Sequence, residues 1–267
     1  MVKLVIVSSK KYLKSKQAVE LLSYLDEKKI KYEKILVDSS FPKIDREIGY
    51  DLIISVGGDG TALKAMSLGW KHSLPVLNLG SGRVGYLVNS LENIDFESVI
   101  NQKFNNFKNR TPIIQNNDES QPAFNEIVII KNAPTRMLDM QIETYKQKVK
   151  LRADGLIISS SLGSTAYNYS AGGPIVQTSI NSLIITPISP FTKFPRSIVL
   201  DHKSEIKITI LKKQDYSIQF DGAEVIEGNE EKDIVFEVLR DGELLKLDTV
   251  GHENILLDQS NILENLG

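Results

Sequence analysis

Over its first ninety residues the chain alternates short apolar runs with more polar, helix-like stretches. Leu4-Val5-Ile6-Val7 reads as a buried strand. From Lys14 to Lys28, Ala18, Leu21, Leu22 and Leu25 recur at helical spacing, with lysines elsewhere around the helix. A second strand is expected over 32–37, a third at Asp51–Val56 and a fourth at Pro75–Leu79. Between the last two, Thr61–Leu68 reads as a short helix that Gly69 can end. Strands without strict alternation, separated by helices, predict a parallel sheet covered on both faces.

The rhythm changes after about residue 95. Leu138, Met140, Ile142 and Thr144 alternate with Asp139, Gln141 and Glu143. Ile206, Ile208 and Ile210 repeat the pattern, as do Tyr216, Ile218 and Phe220, and then Ile234, Phe236 and Val238. Period-two alternation describes antiparallel strands with one wet face. The chain is therefore expected to divide into an α/β domain over 1–95 and a β-rich domain over 96–250. Ile255, Leu256, Leu257, Ile262, Leu263 and Leu266 mark a C-terminal segment, 251–267, expected to pack back on the first domain.

Composition narrows the chemistry. The chain has 267 residues, with 32 basic and 34 acidic side chains and a net charge of -2, which argues against a broadly basic nucleic-acid surface. It has no cysteine, so disulfides, thiolate nucleophiles and zinc–thiolate sites are excluded. Three histidines make a histidine metal cluster unpromising. No run approaches the apolar length of a membrane span and no signal-peptide pattern opens the chain, so a soluble cytoplasmic protein is expected.

The glycines are clustered. Val56-Gly57-Gly58-Asp59-Gly60-Thr61 follows a strand and opens a helix, which places the turn at the carboxyl edge of a parallel sheet, where ligands usually bind. Glycine permits close backbone approach, and the helix start offers free N–H groups to an anion. Asp59 would repel phosphates unless it held a metal ion or faced a hydroxyl that must lose its proton. The plainer alternative is a tight turn with Asp59 capping the helix. The segment is neither the dinucleotide fingerprint nor a Walker A loop. A second cluster, Gly80-Ser81-Gly82-Arg83-Val84-Gly85-Tyr86-Leu87, follows the next strand. A third runs from Arg152 to Pro174, with a strand, a Ser/Gly/Thr-rich turn and a short helix expected near Thr165. Its hydroxyls and amides suit phosphate, ribose or a base edge.

Separated segments resemble the NAD kinase family. Gly57–Thr61 is similar to a signature that these enzymes share with diacylglycerol and sphingosine kinases. Asn125-Glu126-Ile127-Val128-Ile129 resembles their Asn-Glu segment. Asp154-Gly155, Gly163-Ser164-Thr165-Ala166-Tyr167 and Ser170-Ala171-Gly172-Gly173-Pro174 resemble their most characteristic block. Ile185–Pro190, Arg196–Leu200 and Asp221-Gly222 follow in family order. The chain departs from the usual pattern at Ser160-Ser161-Leu162 and at Ala223.

The resemblance implies a two-domain NAD kinase-like fold, an α/β N-terminal domain with a parallel sheet and a β-rich C-terminal domain, with NAD between them. It implies an ATP- and Mg2+-dependent kinase that phosphorylates the adenosine-ribose 2′-hydroxyl of NAD, and a homo-oligomer, dimer or tetramer, that binds neither nucleic acid nor membrane. Asp59 would accept the hydroxyl proton, and Gly60 would line the approach. Asn125, Glu126 and Asp154 would hydrogen-bond the dinucleotide, and Thr165, Ala166, Tyr167, Asn168, Tyr169 and Ser170 would line it. Arg152 would meet a phosphate or cross a subunit interface, with Lys64 and Arg136 as further cations. No metal ligand is assigned. The competing readings are a lipid kinase with the same glycine signature and a catalytically silent dinucleotide-binding regulator.

Overall fold

A computed structural model describes residues 2–37, 49–80, 86–90, 96–100, 114–116, 122–144, 147–177, 180–222, 224–229 and 232–238. The chain forms two compact units, one within residues 1–110 and the other within 111–242. The expected boundary at residue 95 and the C-terminal segment 251–267 lie outside the described residues.

The first unit has a five-stranded parallel sheet. Its strands are β1 (Lys3–Ser8), β2 (Lys31–Leu36), β3 (Leu52–Gly57), β4 (Val76–Gly80) and β5 (Asn89–Ser90), in the order β2-β1-β3-β4-β5. The helices are α1 (Lys16–Glu27), α2 (Asp59–His72) and the short α3 (Phe96–Ile100). Ser15 caps α1 by accepting from the Ala18 amide at 3.2 Å. Period two sends alternate strand residues to opposite faces. Leu4, Ile6, Leu52 and Ile54 meet Ala18, Leu21 and Leu25 of α1, whereas Ile53 and Val76 face Gly69 of α2. The sheet is thus covered on both faces, as its unbroken apolar strands predict. The order reverses between β1 and β3, and the Gly57–Thr61 turn leaves β3 at that point, where open α/β sheets bind ligands.

Gly69 does not end α2. The helix runs on to His72 and stops at Ser73, whose amide still reaches the Gly69 and Trp70 carbonyls and whose φ of 54° turns the next amide, that of Leu74, back to the Gly69 carbonyl at 2.9 Å. Gly69 instead permits close packing. A Cβ there would stand 2.2 Å from Val76 Cγ2 and 2.9 Å from the Leu74 carbonyl oxygen.

The second unit is a two-sheet antiparallel sandwich. In chain order it contains β6 (Ile114–Asn116), β7 (Glu126–Lys131), β8 (Leu138–Thr144), β9 (Gln147–Ala153), β10 (Gly155–Ser160), α4 (Tyr167–Ser170), β11 (Ser182–Ile188), β12 (Ile198–Asp201), β13 (Ile206–Ile210), β14 (Tyr216–Phe220), β15 (Glu224–Gly228) and β16 (Lys232–Val238). One sheet has the order β12-β11-β10-β7-β14-β15 and the other β6-β16-β13-β8-β9. Met140, Ile142, Ile206 and Ile208 from one sheet join Ile127, Ile158, Ile185 and Ile218 from the other in a single buried cluster. The alternating stretches at 138–144, 206–210 and 216–220 form the expected strands. The helix expected near Thr165 is shorter: a 3-10 turn over Leu162–Thr165, then the single turn of α4. Among the described residues no helix is long and apolar enough to cross a membrane.

Gly69→Ala gains helix propensity but loses this close approach. It is expected to destabilise the protein by about 1–3 kcal/mol, measured by urea unfolding, because the overpacking term exceeds the propensity gain.

Candidate functional site

The first unit contributes the turn after β3. Gly58 is the N-cap of α2, and its carbonyl accepts from the Thr61 and Ala62 amides at 2.9 and 3.1 Å. Asp59 is therefore not the cap. Its half-buried carboxylate reaches away from the helix to the segment after β4, where Oδ2 accepts the Tyr86 amide and Oδ1 the Leu87 amide, each at 3.0 Å. Two consecutive amides orient both oxygens, yet each oxygen keeps a lone pair for a further donor. Behind the turn, Ser55 Oγ donates to Asn78 Oδ1 at 2.7 Å and Asn89 Nδ2 to the Asn78 carbonyl at 2.9 Å, stitching β3, β4 and β5.

Gly60 is exposed, and among the described residues nothing lies within 4 Å of the place a Cβ would take. Lys64 turns its ammonium to the Val37 carbonyl, 2.8 Å away, and ties α2 to the end of β2. Arg83 lies outside the described residues.

The second unit gathers its polar groups where β7 begins. Ser159 of β10 pairs with Glu126 of β7, and the Ser160 amide donates to the Asn125 carbonyl at 2.9 Å. Asp221, just past β14, accepts the amides of Phe124, Asn125 and Glu126 at 2.8, 2.8 and 3.1 Å. Its own amide donates to the Glu126 carbonyl at 3.0 Å. The residue is half-buried, but its carboxylate is enclosed, and loss of water pushes its pKa up to about 6 against the pull of the three amides. Glu126 is only 7% exposed. Burial, and then the Asp221 charge, push its pKa up to about 8, although the Tyr167 amide donates to it. Among the described residues its buried Oε2 has no hydrogen-bond partner, and it can act as an acceptor or, protonated, as a donor.

The loop after β10 is built against this turn. Gly163 lies so close that a Cβ would stand 2.1 Å from the Asn125 carbonyl oxygen. Ser160 Oγ donates to the Phe124 carbonyl at 2.5 Å and accepts the Gly163 amide at 3.1 Å. Ser164 Oγ exchanges two bonds with the Val176 backbone, at 3.0 and 3.1 Å. Asn168, expected to touch the dinucleotide, is fully buried and committed elsewhere. Its Nδ2 donates to the Ser164 and Pro174 carbonyls at 3.0 Å, and its Oδ1 accepts from Thr186 Oγ1 at 2.7 Å. Both Nδ2 hydrogens and one Oδ1 lone pair are thus spent on holding the loop closed. Its neighbours face outward: Tyr167 and Tyr169 are 39% and 43% exposed and Ser170 is exposed, with Thr165 and Ala166 half-buried beside them.

The remaining expected residues lie along the strand ends. Asp154, between β9 and β10, has Lys131 Nζ at 2.7 Å, near enough for an ion pair though not aligned as a hydrogen bond. Lys131 also donates to the Pro134 carbonyl at 3.0 Å. Arg152 lies with its guanidinium 5.9 Å from the Phe191 ring and its Nε 3.7 Å from Asp139. Arg136 is exposed between β7 and β8. No group of three or more acidic or histidine side chains among the described residues could hold a metal ion by itself. The sequence reading missed Lys131, the Tyr86 and Leu87 amides and the task of Asp221. Backbone donors carry no residue signature, and Lys131 reads as an ordinary strand-end cation.

Residues 124–241 match the ATP-NAD kinase C-terminal domain model, and residues 6–106 match the N-terminal domain model. An NAD kinase of Methanothermobacter thermautotrophicus is 37% identical over 193 residues, covering 71% of this chain and 66% of that one. An NAD kinase of Flavobacterium johnsoniae is 34% identical over 207 residues, covering 71% and 70%. The chain spans 34 to 66% of the length of several curated relatives that it matches. The crystal structure of an NAD kinase from Archaeoglobus fulgidus in complex with ATP superimposes with a TM-score of 0.70 at 25% identity, covering 90% of this chain and 91% of that one.

The two raised carboxyl values have a consequence for stability. Folding binds protons that the unfolded chain releases, at Glu126 between 4.5 and about 8 and at Asp221 between 3.8 and about 6. The ligand-free protein is therefore expected to lose stability as pH rises through these windows. Glu126→Gln should flatten the upper part of a plot of Tm against pH, and a slope that survives between pH 6 and 8 counts against the assignment.

Proposed function

The chain belongs to the NAD kinase family, and on that premise we propose that it transfers the γ-phosphoryl group of ATP to the adenosine-ribose 2′-hydroxyl of NAD. The O–H bond of the acceptor breaks, the bond from γ-phosphorus to the bridging oxygen breaks, and a new O–P bond forms, giving NADP and ADP. The observation that carries this reading is the Asp59 carboxylate, aimed by two backbone amides at the carboxyl edge of the parallel sheet.

An alcohol is a weak nucleophile until its proton has a destination. Phosphoryl transfer passes through a loose transition state, so the proton leaves late and a positioned carboxylate suffices. Asp59 takes that proton through a lone pair left open by the Tyr86 and Leu87 amides. Asn125, Glu126 and Asp154 hydrogen-bond the dinucleotide in this reading, Tyr167 and Tyr169 offer ring faces to a base, and Thr165, Ala166 and Ser170 line it. The unpartnered Glu126 Oε2 supports the acceptor assignment, because a buried polar atom without a partner is costly until a ligand supplies one.

Mg2+ belongs with ATP as part of the donor. In this reading the ion keeps waters and phosphate oxygens and takes at most a carboxylate or two from the protein. Arg136 and Lys64 are supporting cations, Lys64 from its seat on the Val37 carbonyl. Arg152, exposed beside the more exposed Phe191, suits either a phosphate or a neighbouring copy of the chain. A cytoplasmic homo-oligomer acting on small molecules completes the proposal.

Purified protein incubated with ATP, Mg2+ and NAD is expected to form NADP, measured by a dehydrogenase-coupled assay. Asp59→Asn should reduce kcat by at least ~100-fold, the range of a lost acid–base group, with NAD binding retained. NAD bound without turnover by the wild type would favour a silent regulator, and phosphate appearing on a lipid would favour the lipid kinase reading.

A further inference from the structure

Successive amides of an extended strand point to opposite sides, so one acceptor ordinarily meets only every second amide. At Phe124-Asn125-Glu126 three consecutive amides converge on the single carboxylate of Asp221. Such a concave set of N–H groups selects an anion. The side chain that fills it comes from about 95 residues away in sequence, on the neighbouring strand's end, as the residue pairing of β14 with β7 requires. Asp221 keeps this place at a cost. Its φ of 48° lies in the left-handed region, and its carboxylate is removed from water. The β7–β14 ladder does not need that carboxylate, since its pairs run from Phe220–Ile127 to Tyr216–Lys131. What the carboxylate uniquely supplies is the shape of the turn that carries Asn125 and Glu126.

We propose that Asp221 is a positioning residue for the acceptor, holding the Phe124–Glu126 turn in the shape that presents Asn125 and Glu126 to NAD. The assignment rests on the NAD kinase reading above. The loop on the other side of the turn is fitted to the same shape. Gly163 touches the Asn125 carbonyl, Ser160 Oγ bonds the Phe124 carbonyl, and the Tyr167 amide meets the Glu126 carboxylate. A change in the turn is therefore felt by the dinucleotide contacts, whereas Asp59 is held by a different set of amides and keeps its aim.

Asparagine at 221 keeps one acceptor oxygen but turns an NH2 group toward the amides. Asp221→Asn is expected to raise the KM for NAD about tenfold, the size expected for loss of a charge-assisted hydrogen bond, with kcat and the KM for ATP unchanged. A folded variant with an unchanged KM for NAD overturns the assignment, as does one whose kcat falls while that KM stays fixed. The wild type measured alongside separates the two levels: if it makes no NADP, the reading beneath falls too. Should the variant fail to fold, hydrogen exchange of the wild type decides. The Phe124, Asn125 and Glu126 amides are expected to be protected in the free enzyme and slowed further by NAD but not by ATP; exchange indifferent to NAD overturns the proposal.

Discussion

A carboxylate that accepts consecutive backbone amides is the interaction on which the candidate residues of each unit depend. Turns that approach a ligand leave amides outside the regular ladders, and a buried amide without an acceptor is costly. Asp59 answers the amides of Tyr86 and Leu87 in the first unit, and Asp221 answers those of Phe124, Asn125 and Glu126 in the second. In each place one side chain both removes an energetic liability and sets the direction of the groups beside it. The two then differ in purpose. Each Asp59 oxygen accepts one amide and keeps a lone pair, whereas the Asp221 carboxylate is enclosed by three amides.

The parallel sheet supplies the first of these with its location. Strands buried on both faces leave only their ends for chemistry, and the order β2-β1-β3-β4-β5 puts the glycine turn at the place where chain direction around the sheet reverses. Gly58 as N-cap frees Asp59 from the capping task that Ser15 performs for α1. The sandwich serves the second unit similarly. β7 is central, flanked by β10 and β14, so the residue that begins it can be gripped from both sides. Gly163 and Ser160 hold it from one side and Asp221 from the other.

Much of this was legible beforehand, for identifiable reasons. The unbroken apolar runs of β1, β3 and β4 and the strict alternation of β8, β13 and β14 reflect how many of their faces are buried. The glycine clusters marked the loops, and close approach accounts for members such as Gly163 against the Asn125 carbonyl and Gly173 against the Asn168 side chain. β9 was not legible: in Gln147–Ala153 four consecutive residues are exposed, so an edge strand with little apolar content carries no periodic signal. Gly69 misled for the opposite reason. A glycine packed against Val76 looks, in sequence, like a glycine that ends a helix. The burial of Asn168 was not legible either, because its neighbours Tyr167 and Tyr169 on the same single helical turn are exposed.

The amino-acid sequence by itself determined the fold class and the position of the glycine turns, and it singled out Asp59 as the candidate chemical group, since these follow from local periodicity, from backbone sterics and from motif order. Only the tertiary structure decided what each polar side chain is bonded to. It sent Asn168 to the scaffold, Lys64 to the Val37 carbonyl and Lys131 to Asp154, and it brought Asp221 to amides some 95 residues away. The reason is physical. A side chain's donors and acceptors are the same in any sequence context, but the partners that consume them are assembled by strand pairing over long separations, and that pairing has no local signature.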